Sequence, residues 1–189
     1  MSISSANNEQ QRFNQWSETY ERSFMQWLIF DRVHRKVLSS LPPDFNPDSI
    51  LDIGCGTGRL LRRMHARWPA AKLVGIDLAE GMVSKAHQLT PTATIYQAPS
   101  ENIPLKDGSA DLITTTMSFH HWSNHAQGVG EAVRILRSSA YFVLADTNIG
   151  HGHPLSRAQV RDLLQASGFI LYSQKSLVPY LTITVAKKA

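Results

Sequence analysis

Three glycines at alternate positions, Gly54, Gly56 and Gly58, stand between an apolar run (Ile50, Leu51, Ile53) and a helical pattern (Leu60, Leu61, Met64, Trp68). In order, that is strand, turn, helix. Glycine lets the backbone turn sharply and lets a ligand come close to it. The helix start then presents N–H groups that have no partner inside the helix. The segment is therefore a binding loop for a nucleotide-like molecule. Asp77 closes a second apolar run in KLVGIDLAEGM (72–82), where a carboxylate can accept hydrogen bonds from ribose hydroxyls. Two ligands compete for such a loop. A dinucleotide fingerprint spaces its glycines G-x-G-x-x-G, whereas this chain has G-x-G-x-G, with Arg59 in the place of the third dinucleotide glycine. A second group of chemistry-bearing residues lies in TTTMSFHHWSNH (114–125). His120 and His121 there are candidates for a base or for orienting a substrate, because histidine titrates near neutral pH. The competing reading puts one of them in the core, donating to a backbone carbonyl.

The elements that must position these residues alternate. Strand patterns fall at 50–53, 72–76, 93–97, 110–116 and 140–146, with helical patterns at 58–68, 80–88 and 125–136 between them. Such alternation predicts an α/β fold, with a mostly parallel sheet covered by helices on both faces and its ligand at the strand C-termini. Ser123 or Asn124 caps the helix that starts near 125. A further helix, 156–167, begins with Ser156 and Gln159 in capping-box spacing and ends before Gly168. Strands near 169–177 and 180–187 close the chain as a hairpin around Pro179. Ahead of all this, 13–41 has helical periodicity, with Phe30, Val33, Val37, Leu38 and Leu41 on one face, and Pro42 and Pro43 end it. The aromatic residues Phe13, Trp16, Tyr20, Phe24 and Trp27 precede that face.

DIGCGTG followed by VGIDLAEGM resembles the class I S-adenosylmethionine (SAM)-dependent methyltransferases, in particular the small-molecule group that includes the ubiquinone and menaquinone biosynthesis enzymes. The likeness extends over nearly the whole chain. It implies one domain, 1–189, with an N-terminal helical cap (1–45) and a Rossmann-like, doubly wound core (46–189). That core is a mostly parallel seven-stranded sheet with an antiparallel C-terminal strand. The implied cofactor is SAM, released as S-adenosylhomocysteine (SAH), with a small-molecule methyl acceptor. By the same likeness Asp52 attracts the methionine ammonium; Gly54, Cys55, Gly56 and Gly58 form the loop under that moiety; Asp77 takes the ribose; and Leu78 and Met82 pack on the adenine. Met117 lies beside the methionine chain. The cap folds over the pocket, with Phe13 and Tyr20 the residues that reach the ligand, and Tyr20 joins His120 and His121 as a catalytic candidate. In APSENIPLKDGSADLI (98–113) the family carries an Asp that bonds the adenine amino group. Pro99 stands in its place and has neither an N–H nor a side-chain acceptor. Ser100 and Glu101 inherit the task. Before the fifth strand the family turn L-K-P-G-G is replaced by Ser138, Ser139 and Ala140, which predicts a different turn geometry.

Composition narrows the remaining classes. The chain has 189 residues, a formal net charge of +4 and a single cysteine, Cys55. One cysteine excludes an internal disulfide framework and argues against a Cys-based metal site, and H-x-H at His151 and His153 has no second ligand pair, so no metal is expected. No apolar run reaches the ~20 residues of a membrane span, and MSISSANNEQQR has no secretory h-region, so a cytoplasmic protein is expected. Arg59, Arg62, Arg63 and Arg67 read as a solvated helix face, without the aromatic partners of a nucleic-acid surface. A monomer or homodimer is expected. Two other functions stay open: a methyltransferase-like protein that binds SAM or SAH without turnover, and a nicotinamide-dependent oxidoreductase.

Overall fold

The computed structural model describes residues 24–150 and 152–189. Seven strands form one sheet in the order β3-β2-β1-β4-β5-β7-β6. They are β1 (Ser49–Ile53), β2 (Lys72–Asp77), β3 (Ala93–Gln97), β4 (Ala110–Thr116), β5 (Leu136–Thr147), β6 (Phe169–Val178) and β7 (Leu181–Lys188). The first five are parallel to their neighbours, and β7 enters antiparallel between β5 and β6. This is the doubly wound sheet with a reversed C-terminal strand that the strand and helix pattern predicts. The helices are α1 (Phe24–Ser39), α2 (Arg59–Arg67), α3 (Glu80–Leu89), α4 (His125–Ile135) and α5 (Arg157–Ala166), with a 3-10 turn at Phe119–His121. The chain reverses direction between β1 and β4, the switch point where such sheets bind ligands.

The sheet separates two apolar clusters. Leu51, Ile53, Ile113, Phe142 and Leu144 point to one face with Val129, Ala132 and Leu164 of α4 and α5. Ile50, Leu112, Val143 and Val185 point to the other with Val33 and Val37 of α1 and Leu61 and Met64 of α2. Side chains alternate along a strand, so Asp52, Thr114 and Thr116 fall on the α1–α2 face. The apolar stripe expected on α1 is buried at Val33, Val37, Leu38 and Leu41. Tyr20, Phe13 and Trp16 lie outside the described residues, as does His151. The capping box of α5 is present, and the Asn124 side chain accepts the Gln127 N–H at the start of α4.

Two local expectations are revised or refined. The arginines of α2 are not a free solvated face. Arg63 pairs with the buried carboxylate of Asp31 on α1, and Arg67 donates to the Leu38 carbonyl (2.7 Å). Arg62 reaches the Thr57 carbonyl at 2.8 Å. These arginines staple α2 to its neighbours because their stems pack along the helix while the charged ends find acceptors. Where the glycine turn was replaced, β5 starts directly at Leu136 and bulges against β4 between Ala110 and Leu112. Ser139 there adopts φ 63°, a left-handed conformation that a side chain resists.

Candidate active site

The glycine loop is folded back on the end of β2. The N–H groups of Gly54 and Cys55 both donate to the Ile76 carbonyl, at 2.8 and 2.9 Å. Gly54 has φ 70°, and a Cβ built there would stand 1.9 Å from Ser118 Oγ, so any side chain would collide with the loop after β4. Gly56 has φ 54°, yet a Cβ there would meet nothing within 4 Å. Gly54 therefore serves the fold, whereas Gly56 borders open space. Cys55 turns inward: a Cβ on Gly75 would lie 2.8 Å from its sulfur. Burial pushes the Cys55 thiol well up, and the negative charges of Asp77 and Asp52 add to that, so it is no nucleophile. No side chain caps the start of α2 at Gly58, which leaves the loop side of that helix polar.

Two carboxyl groups flank the loop. Asp52 is 2% exposed and accepts the Thr114 hydroxyl at 2.6 Å. The β1–β4 register sets these two residues opposite each other. Burial pushes Asp52 up to about 7; the Thr114 hydrogen bond opposes this and the charge of Asp77 reinforces it. Two residues along β4 on the same face, the Thr116 hydroxyl is buried with no partner among the described residues. Asp77 accepts the Gly56 N–H at one oxygen and the Ala79 N–H at the other, both at 2.9 Å. Burial also raises Asp77, with these N–H groups holding it back. The N-cap of α3 is Ala79, so Asp77 is not the helix cap that a structural role would have made it.

On the adenine side, Leu78 is 46% exposed while Met82 is 3% exposed and packed inside. Pro99 is exposed, and the Asn102 N–H bonds its carbonyl at 3.3 Å. The Ser100 hydroxyl donates to Glu101 at 3.0 Å, and the other Glu101 oxygen accepts Ser123 Oγ (3.2 Å) and the Asn124 N–H (2.8 Å). Glu101 thus ties this loop to the start of α4.

Beyond β4 the chain turns sharply. Met117 has φ 53°, and its N–H donates to the Ala145 carbonyl at 2.8 Å. His120 is buried with its Nδ1 2.6 Å from Asp146 Oδ1, and its own N–H donates to Oδ2 at 2.7 Å. His121 stacks on it at 4.0 Å between ring centroids and is more open. The sequence singles out His120 but not its acidic partner. The signal was available, because β4 and β5 are neighbours in this topology and Asp146 ends β5 as His120 follows β4. Thr114 and Thr116 also went unnoticed, since only the register places them beside Asp52. Asp146 also borders an open cleft of about 300 Å³, lined by Phe119, Leu144, Thr147, Arg157 and Gln174. Among the described residues no cluster of three or more His, Cys, Asp or Glu could hold a metal ion, and no helix is long and apolar enough to cross a membrane.

Known proteins share this arrangement. Residues 51–144 match the model of a family described as a methyltransferase domain. A malonyl-[acyl-carrier protein] O-methyltransferase of Geobacter sulfurreducens is 35% identical over 118 residues, 60% of this chain and 44% of that protein. A demethylmenaquinone methyltransferase of Thermotoga maritima is 26% identical over 116 residues, 61% of this chain and 51% of that one. The chain spans about half the length of the curated relatives it matches. Among solved structures, a SAM-dependent methyltransferase of Aquifex aeolicus superposes with a TM-score of 0.73 at 22% identity, over 82% of this chain and 89% of that one. With the matched segment running from β1 through the glycine loop to β5, the chain belongs to the SAM-dependent methyltransferase family.

Proposed function

We propose that this protein transfers a methyl group from SAM to a small-molecule acceptor, and that it does so in the cytoplasm. The observation that carries the reading is the pairing of an open glycine loop with Asp77, whose carboxylate receives the Gly56 N–H at 2.9 Å. The groups present fit the ligand. A buried carboxyl at Asp52, costly to ionise alone, gains a partner from an ammonium. Each Asp77 oxygen accepts a single backbone N–H and has a second lone pair for a ribose hydroxyl. The unpartnered Thr116 hydroxyl lies on the Asp52 face, and the space over Gly56 leaves room for the methionine chain. Leu78 offers an exposed apolar surface to the adenine, with Met82 behind it.

SAM supplies a methyl group already activated on a positive sulfonium. The protein's part is to hold the two reactants in line and keep water out. His120, His121 and Met117 border the transfer region, and Tyr20 is proposed to approach it from the N-terminal segment. The names of the relatives support acceptors such as a malonyl group or a quinol-type ring. The test is calorimetric titration with SAM, SAH and NAD, followed by SAH production with acceptor panels. Binding of SAM and SAH but not NAD is expected, and tighter NAD binding or no heat with SAM would overturn the reading. A second reading, binding without turnover, draws on Pro99, which removes one adenine acceptor worth about 0.5–1.5 kcal/mol. It predicts SAH binding with no methylation of any acceptor.

A further inference from the structure

We propose that His120 is the general base of the transfer, with Asp146 as its positioning residue, and that the acceptor is a neutral hydroxyl compound (an alcohol, phenol or enol). The proposal rests on the methyltransferase reading above. Asp146 is 6% exposed, and its two oxygens are fully engaged. Oδ1 takes His120 Nδ1 at 2.6 Å and the Thr147 N–H at 2.7 Å, and Oδ2 takes the His120 backbone N–H at 2.7 Å. The His120 carbonyl accepts the His153 N–H at 2.6 Å. Ring and backbone of His120 are thus fixed from two sides. With the Nδ1 proton directed at a carboxylate, the tautomer leaves a lone pair on Nε2, and among the described residues Nε2 has no hydrogen-bond partner. A histidine that only braced the core would use both nitrogens. The turn also abuts the cofactor loop. Ser118, two residues before His120, packs so closely on Gly54 that only a glycine fits.

The chemistry follows from that geometry. As the acceptor oxygen bonds to the methyl carbon, the carbon–sulfur bond breaks and its electron pair stays on sulfur, giving SAH. The hydroxyl proton passes to Nε2, and Asp146 stabilises the imidazolium that results. A carboxylate acceptor has no proton to give and needs none of this. The malonyl group named for one set of relatives is such a carboxylate, so the proposal separates this chain from them. Other ionisable groups face the pair. His121 stacks on the His120 ring, and His125 reaches the Phe119 carbonyl at 3.0 Å. His153 follows in the next loop, and Arg157 lies across the cleft that Asp146 borders.

The experiment first measures SAM binding by calorimetry, and absence of binding strikes the methyltransferase reading itself. With SAM bound, SAH production is followed with a panel of phenols and primary alcohols against malonyl thioesters and simple carboxylates. Turnover of the hydroxyl class alone is expected. His120→Asn should then lower kcat by about 10²–10⁴-fold with KM for SAM little changed. Asp146→Asn should lower kcat and move the acidic limb of the pH profile to lower pH, which a merely structural contact would not do. If either variant fails to fold, the wild-type enzyme carries the test. Its acidic limb should persist with an ordinary phenol and vanish with a nitrophenol already ionised at the assay pH. Turnover of carboxylates only or of neither class, or a limb equal for both phenols, overturns the proposal.

Discussion

Asp52 offers the sharpest test of how the site binds its ligand. In the free protein its carboxyl is buried and pushed up to about 7. An arriving ammonium would favour the charged form and pull it back into the ordinary carboxylate range, so binding must release a proton below pH 7. The ionised fraction of a group titrating near 7 is about 3% at pH 5.5, half at pH 7 and about 90% at pH 8. Affinity for SAH should therefore fall about 30-fold from pH 8 to pH 5.5, equivalent to roughly 2 kcal/mol. The sign for stability is opposite. The unfolded carboxyl titrates at its ordinary value, so the free protein binds the extra proton between pH 4 and 7 and loses stability as pH rises through that window. Calorimetry in buffers of different ionisation enthalpy reads both the affinity and the proton released. 5′-Methylthioadenosine, which lacks the amino-acid end, is the control and should show no such dependence. A flat SAH affinity between pH 5.5 and 8, or an equal dependence for the control, would refute the pairing of Asp52 with the ammonium.

Three further outcomes are expected. Gly54→Ala should unfold or strongly destabilise the protein, because its Cβ would lie 1.9 Å from Ser118 Oγ, whereas Gly56→Ala should cost only the ~1–2 kcal/mol of a left-handed alanine but sharply weaken SAM binding; thermal melts and calorimetry together separate these effects. Ser139→Gly should stabilise by about 1 kcal/mol in denaturant unfolding, since φ 63° then suits the residue. Asp31→Ala removes the buried partner of Arg63 and should cost about 2 kcal/mol; an unchanged unfolding midpoint would show that α1 docks through its apolar stripe alone.

Much of this site was legible in the chain because it is local. The turn at Gly54 needs a left-handed backbone, and Asp77 closes the next strand, so residue type and spacing announce both. The α5 capping box and the Asn124 cap are local in the same way. The residues that escaped notice act across the sheet. Thr114 meets Asp52, and Asp146 meets His120, only through strand register. The arginines of α2 looked solvated because helical periodicity says which face they occupy, not that Asp31 and the Leu38 carbonyl wait opposite them.

By itself, then, the sequence determined the alternating strands and helices, the loop that turns on glycine, and the kind of ligand such a loop accepts, because each depends on backbone geometry within a few neighbouring residues. Tertiary structure alone decided that Asp52 sits in a dry interior near neutrality, that Gly54 is walled in while Gly56 opens to a ligand, and that a histidine after β4 is clamped by a carboxylate after β5. Burial and cross-strand contact set those properties, and both arise only once distant segments pack together.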